Sequence, residues 1–498
     1  MLPCSVHLLP LRAAPQCHPC FSDSSTQILA SVVRVLMGMP AVRQPAKPPA
    51  GWYGAHPATT KAFFLPVTGA SQYRRALAVR RNVCEERGKK AVALPASGHI
   101  DALPDGVLHR ILGFVDAQEA VRTCVLARRW RHLWKSATAL RIVRDGLEGV
   151  PSFMEHLLLL RRGSPFDAFC LKFDVFEVGD VPHVNLWLRH ALLCNVRELM
   201  LGAFYCFFPL DDLPVVSQHL RSLELKYVIL GNSFCDFSGC PSLEHLSIVD
   251  CVLPCNKKIS SKSVKHLSIM SCIFNKNKEF RTHIYAPNLI SLMLDDKESW
   301  DEPPQPWRTP VLDSMPSLQE AFVRLAYSNT DCCSNADDSG YCGHVNCDSC
   351  YGIKHDSNCL LLEGLSEAKN LKLIAESETF VFKRDLKQCP TFSKLKTLLL
   401  NDYWSAAPDF PALTCILKHT PVLEKLRLQL FYKGSEHKLR INGSRNPMEL
   451  SAATEHLKNL KTVEIMCEVI DERTIKVMKF LSKFDIRFSL DEVEILEE

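Results

Sequence analysis

Six cysteines and two histidines crowd one stretch of this 498-residue chain: Cys332, Cys333, Cys342, Cys347, Cys350 and Cys359, with His344 and His355. Cys342, Cys347, Cys350 and Cys359 offer four thiolates, the set a tetrahedral zinc ion takes, and zinc there would staple an insertion rich in Gly, Asp and Ser. The spacing matches no standard zinc finger. Two other readings therefore stand beside zinc, a surface loop of free thiols and a redox-sensitive loop. No metal ligand set is assigned and no other cofactor is expected. The residue patterns of nucleotide and covalent chemistry are missing: there is no GxxxxGK[ST], no GxGxxG after a strand, no HExxH and no GxSxG. CxxC pairs stand alone at Cys17/Cys20 and Cys347/Cys350. No catalytic residue is assigned; the chain is expected to work by binding.

The elements that would carry a binding surface are written as a repeat. An apolar residue, two variable ones, an apolar, one variable and an apolar recur at Val196–Leu201, Leu220–Leu225, Leu243–Ile248, Val264–Ile269 and Leu289–Leu294. The pattern continues at Leu318–Val323, Leu395–Leu400, Leu423–Leu428 and Leu460–Ile465. Successive starts lie 24, 23, 21, 25, 29, 77, 28 and 37 residues apart, and Leu371 falls inside the 77-residue gap at a repeat start. Cys251 and Cys272 follow two of these starts by eight residues. This is the leucine-rich-repeat pattern, in which each unit supplies one short strand that cannot bury its apolar side chains alone and must stack on its neighbours. The variable positions face solvent, which makes His245, Ser247, His266, Ser268, Met293, Lys425 and Arg427 candidates for substrate contact. Toward the C-terminus, Asp471 is placed to cap a helix over about Arg473–Phe484 with Ile475, Met478 and Leu481 on one face, followed by a strand over Asp485–Leu490.

Residues 101–134 have a different texture. Pro104 suits the first turn of a helix, and Val107, Leu108, Ile111, Leu112 and Val115 then share one face. A second helix is expected over Ala117–Val125 and a third around Trp130, Leu133 and Trp134. Three short helices make a core too small for these apolar groups, so some need cover from a partner or from the repeats. Leu103-Pro104-Asp105, Ile111-Leu112, Val125-Leu126 and Arg129-Trp130-Arg131-His132-Leu133-Trp134 resemble the F-box, in the version found in plant F-box/leucine-rich-repeat proteins. The resemblance extends loosely through Cys359–Leu362, Leu365–Leu371 and Phe392–Trp404 to an FBD-type ending over Leu457–Phe488.

This resemblance implies a non-enzymatic subunit of a Skp–cullin–F-box (SCF) ubiquitin ligase. The F-box would bind the Skp-type adaptor, and through it the cullin and RING subunits, while the repeats hold an unknown protein substrate. Leu103, Pro104, Ile111, Leu112, Val125, Leu126, Trp130, Leu133 and Trp134 would face or support the adaptor interface, whereas Val107, Val115 and Val121 are assigned to holding the helices together. A non-degradative scaffold built on the repeats is the alternative.

Composition supports a folded, non-membrane protein. Apolar residues make up 47% of the chain, enough for a large core, and no run approaches a membrane span. Residues 1–99 hold twelve Lys/Arg against three acids and 11 of the 30 prolines, leaving 47 basic and 52 acidic residues beyond them. A mildly acidic body argues against nucleic acid as a partner. The expected fold class is α+β: a disordered N-terminal leader over 1–99, a small three-helix F-box over 100–140, and a leucine-rich-repeat solenoid, an α/β horseshoe, over 141–456. The solenoid carries the Cys-rich insertion near 331–359, and an FBD-like C-terminal cap completes the chain over 457–498. The leader is open to three readings: a disordered leader, a transit peptide, or an over-extended reading frame with the true start at Met37 or Met39. Nucleus and/or cytoplasm is the expected location, where thiols stay reduced.

Overall fold

A computed structural model describes residue 100 and residues 103–254, 257–274, 281–296, 308–325, 359–376, 379–406, 410–431, 438–445 and 457–496. The expectations for the 1–99 leader and for Cys332, Cys333, Cys342, His344, Cys347, Cys350 and His355 lie outside the described residues. The chain divides into two compact units, Met1–Val107 and Leu108–Glu498. In the first, the Leu103 N–H donates to Ile100 O (3.2 Å) and the Val107 N–H to Pro104 O (3.0 Å), winding the turn that opens helix α1, Asp105–Phe114.

The second unit is built on one 14-stranded sheet. Its strands in chain order are β1 (Ala139–Gly146), β2 (Ala168–Val175), β3 (Glu198–Ala203), β4 (Ser222–Lys226), β5 (His245–Val249), β6 (His266–Met270) and β7 (Ser291–Asp295). They continue as β8 (Glu320–Leu325), β9 (Asn370–Ala375), β10 (Thr397–Asn401), β11 (Lys425–Leu430), β12 (Lys438–Arg445), β13 (Thr462–Cys467) and β14 (Ile486–Leu496). From β1 to β11 each strand pairs in parallel with the next, and β13 follows β11 in the same sense. β12 then runs antiparallel between β13 and β14 and closes that edge.

The register is the one the repeat demands. Leu199, Leu223, Leu246, Leu267, Leu292, Ala321, Leu371, Leu398, Leu426 and Val463 are aligned rung by rung, and all are buried. Alternate side chains of a strand leave on opposite faces, so this row and the row of Leu201, Leu225, Ile248 and Ile269 fill the core while the residues between them face out. Leu371 is a rung, but it occupies the second apolar position of its unit, with buried Ala368 in the first. The small Ala hid the true start. β8 and β9 bond to each other directly, so one rung falls between the units beginning at Leu318 and Leu395.

Two further rungs are written with a different residue type in the first apolar position. β1 and β2 align Leu140 with Phe169 and Leu199, and Ile142 with Leu171 and Leu201. Their first apolar positions are Ala137 and Phe166, both buried, in place of the Leu or Val of most other units. Helix α3 (Val150–Arg161) runs between β1 and β2, and helix α4 (Val181–Leu193) between β2 and β3. In the middle of the sheet, strands end in a left-handed residue, Tyr205, Tyr227, Asp250 or Ser271, that turns the chain out of the sheet. Cys251 and Cys272 follow such turns, buried, with their thiols donating to Val249 O (3.1 Å) and Met270 O (3.3 Å). They are small apolar fillers with one satisfied donor each.

The C-terminal helix spans Glu472–Ser482, and the Thr474 N–H donates to the Asp471 cap (2.7 Å) as its sequence requires. Its buried face is Thr474, Val477 and Leu481, while Ile475 is exposed and Met478 half-buried. The expected face is thus rotated: Thr474 is drawn in because its hydroxyl also donates to Asp471 (2.8 Å), which lets a polar residue take an inner position.

Candidate functional site

The helices and turns at the start of the second unit expose Phe114, Val125 and Leu126. After α1 comes α2 (Ala117–Arg122), capped by Asp116, whose carboxylate accepts the Gln118 N–H at 2.9 Å. The chain then tightens into 3₁₀ turns at Thr123–Val125, Arg129–Arg131 and Leu133–Ser136. The expected third helix is therefore two short 3₁₀ turns, split by His132 at φ −123°.

These turns are tied to the sheet by arginines. Arg141 Nε donates to Gly113 O (3.0 Å) from β1, and Arg144 grips Asp116 with both guanidinium nitrogens at 2.8 Å. Arg161 at the end of α3 is buried and donates to Trp134 O (3.1 Å) and Ala137 O (3.0 Å), with its guanidinium 5.3 Å from the Phe166 ring centre. Burial lowers this guanidinium to about 10, which leaves it charged at neutral pH.

With the helices fixed in this way, the residues assigned to the adaptor separate into two groups. Leu112, Trp130, Leu133 and Trp134 are buried inside this chain; Trp134 is 6% exposed and its indole N–H donates to Arg131 O (3.2 Å). They can support a surface but not touch a partner. Val125 is 73% exposed and Leu126 49% exposed, and Pro104 is exposed as well. Leu103 and Ile111 are half-buried. Phe114 at the end of α1 is exposed, and so is Val107, which the sequence assigns to packing. Phe114 follows the Gly113 that lets α1 lie against Thr138 and Ala139, and that glycine was the available signal that the helix turns its end outward.

On the sheet, five of the seven substrate candidates come together. His245 and Ser247 on β5, His266 and Ser268 on β6 and Met293 on β7 project from the outer face of three adjacent strands. The two imidazoles stack with ring centres 4.7 Å apart and planes 7° apart. Lys425 and Arg427 on β11 lie four strands beyond β7, about 19 Å away at the usual strand spacing. Both are engaged by Glu464, with Arg427 Nε at 2.6 Å from its carboxylate. Burial pushes the Glu464 carboxyl up, but the hydrogen bonds from Lys425 and Arg427 outweigh it and hold the group below the usual carboxylate range. The acid that occupies both cations comes from the next rung across the sheet.

Cys359, offered as a thiolate ligand, is buried with its thiol donating to Gln388 O (2.9 Å) and Asp385 O (3.4 Å). Burial and the neighbouring Asp385 push it up to about 12. Next to it, Cys389, Cys415 and His419 bring two sulfurs and a ring nitrogen within 4.8 Å of one another. Sequence spacing gave no sign of this second group, because its members are 26 and 4 residues apart on different elements.

Hydrogen bonds from Arg141, Arg144 and Arg161 thus tie the short helical turns to a long, mostly parallel sheet. The F-box domain family matches residues 100–139. An F-box/LRR-repeat protein of Arabidopsis thaliana is 31% identical over 175 residues, 35% of this chain and 36% of that relative. An FBD-associated F-box protein of the same plant is 30% identical over 235 residues, 46% of this chain and 58% of that relative. F-box/LRR-repeat protein 25 of Arabidopsis thaliana is 30% identical over 185 residues, 31% of this chain and 69% of that relative. The chain belongs to the plant F-box/leucine-rich-repeat family. It spans roughly a third to three fifths of the length of the first two of these relatives.

Proposed function

We propose that this chain is the substrate-recognition subunit of an SCF ubiquitin ligase, its F-box over 100–140 docking on a Skp-type adaptor and its repeats over 141–456 forming a solenoid that holds a protein substrate. The exposure of Val125 and Leu126 carries the reading: two adjacent aliphatic side chains are left in water in a short helical module whose Leu108, Leu112, Trp130, Leu133 and Trp134 are buried. Helical interfaces draw their affinity from buried aliphatic and aromatic anchors of this kind. Phe114 adds apolar surface, and Leu112, Trp130, Leu133 and Trp134 hold the backbone that presents it. The residues from 457 onward act as an FBD-like cap, closing the sheet edge with β12 and β14.

Catalysis in this scheme is positional. The solenoid raises the local concentration of a substrate lysine near the conjugating enzyme, with no covalent step on this chain. The patch of His245, Ser247, His266, Ser268 and Met293 is the proposed centre of substrate contact, mixing stacked rings, hydroxyls and a flexible thioether. The proposed location is nucleus and/or cytoplasm.

The test is co-purification of the full chain with a Skp-type adaptor, comparing wild type with Val125→Glu/Leu126→Glu. Two buried charges at an anchor site abolish a micromolar complex, while the circular dichroism and melting of the variant stay as in wild type because both side chains are already exposed. Equal binding by both proteins removes the assigned interface. A captured partner whose abundance ignores proteasome inhibition would favour the non-degradative scaffold.

A further inference from the structure

We propose that Cys389, Cys415 and His419 bind a zinc ion that locks neighbouring repeat units together. Cys389 follows the 3₁₀ turn Leu386–Gln388, at the end of helix α5 (Phe380–Asp385). Cys415 lies in helix α6 (Pro411–Lys418), and His419 is the residue that ends it, one turn further along the same face. The three donor atoms already lie within 4.8 Å of one another, none of the residues is sealed from solvent, and the ion has a way in.

The local hydrogen bonds prepare the site. His419 Nδ1 is 2.8 Å from Cys415 O, and a carbonyl only accepts, so Nδ1 carries the proton and the lone pair is on Nε2. A backbone carbonyl holding the second ring nitrogen is the usual support of a metal-binding histidine. The Phe392 N–H donates to His419 O (2.8 Å), which pins the segment after Cys389 to the end of α6. Cys415 Sγ in turn donates to Leu386 O (3.5 Å). Two thiolates and an imidazole select zinc over hard cations such as magnesium or calcium. Each cysteine that binds releases its proton to solvent.

Cys347 and Cys350 offer thiols of their own, and the experiment distinguishes the two sets. The full chain, purified under reducing conditions without a metal-affinity step, is assayed for zinc, then stripped and titrated with Co²⁺. Wild type is expected to hold zinc and to give the thiolate charge-transfer and visible bands of tetrahedral Co²⁺. Cys389→Ser/Cys415→Ser and His419→Ala each lose one zinc per chain, while Cys347→Ser/Cys350→Ser keeps it. Circular dichroism confirms that the variants fold. Zinc retained by both site variants, zinc lost instead with the insertion cysteines, or a Cys389–Cys415 disulfide under these conditions overturns the proposal.

Discussion

Arg144 of β1 and Asp116, the residue that caps α2, meet in a two-pronged contact with both nitrogen–oxygen distances at 2.8 Å. Asp116 thereby does two jobs, since the oxygen that accepts from Arg144 Nη2 also accepts the Gln118 N–H. A parallel-fork contact fixes orientation as well as distance. It sets the angle at which the α2 region and the following turns leave the first rung of the sheet.

Asp116→Ala removes the cap and strands the Arg144 guanidinium, whose side chain is only partly exposed. The expected loss is about 2 kcal/mol, read as a shift in the denaturant midpoint. Asp116→Asn keeps an oxygen for the Gln118 N–H and is expected to lose less. Equal losses in the two variants would mean that the cap contributes nothing.

Gly113 sits where α1 touches the sheet. A Cβ there would lie 2.8 Å from Thr138 Oγ1 and 2.9 Å from the Ala139 backbone nitrogen. The backbone contact cannot be relieved by a rotamer change. Gly113→Val is expected to cost about 1–3 kcal/mol and to weaken adaptor binding by displacing Phe114. A thermal melt and the co-purification assay read the two effects separately.

Asp385 is buried and its carboxylate accepts three successive N–H groups, from Leu360 (2.9 Å), Leu361 (2.8 Å) and Leu362 (3.1 Å). Burial pushes its carboxyl up, and those three donors pull it back. Asp385→Ala leaves all three without a partner in a dry site. A loss of about 3 kcal/mol or more is expected in equilibrium unfolding, with the change in hydrogen exchange concentrated at residues 360–362.

Acid is expected to loosen the outer face of the sheet. Side-chain bonds from Lys265 hold Glu244 below the usual carboxylate range, those from Lys461 and Lys396 do the same for Glu424, and Glu464 is held down against its burial by Lys425 and Arg427. A carboxylate depressed in the folded state adds stability above its unfolded value, about 4.3, and loses it as pH falls through the folded one. Stability of wild type should therefore drop below about pH 4. Glu464→Gln should be less stable at pH 7 and show a shallower acid slope; parallel slopes would remove Glu464 from the account.

Much of this protein is legible in its sequence. The aligned rungs from β3 to β11, and β13, follow from the spacing of Leu, Ile and Val, because a strand with one buried face leaves a period-two signature and a stacked repeat copies it. The Asp471 cap and helix α1 are local too, set by residues a turn apart. β1 and β2 were missed because Ala137 and Phe166 replace the usual aliphatic residue, and burial tolerates either.

What remained for the tertiary structure is everything that depends on which side chains from distant segments meet. Trp134 is held inside with the help of Arg161, 27 residues further along, whose guanidinium donates to the Trp134 carbonyl. Lys425 and Arg427 are spent on Glu464, 37 residues from Arg427, and His245 stacks on His266 because parallel register places them side by side. Cys389, Cys415 and His419 converge from different elements. Periodicity records which face of a strand or helix is buried, but it carries no record of a contact between side chains whose separation along the chain obeys no period.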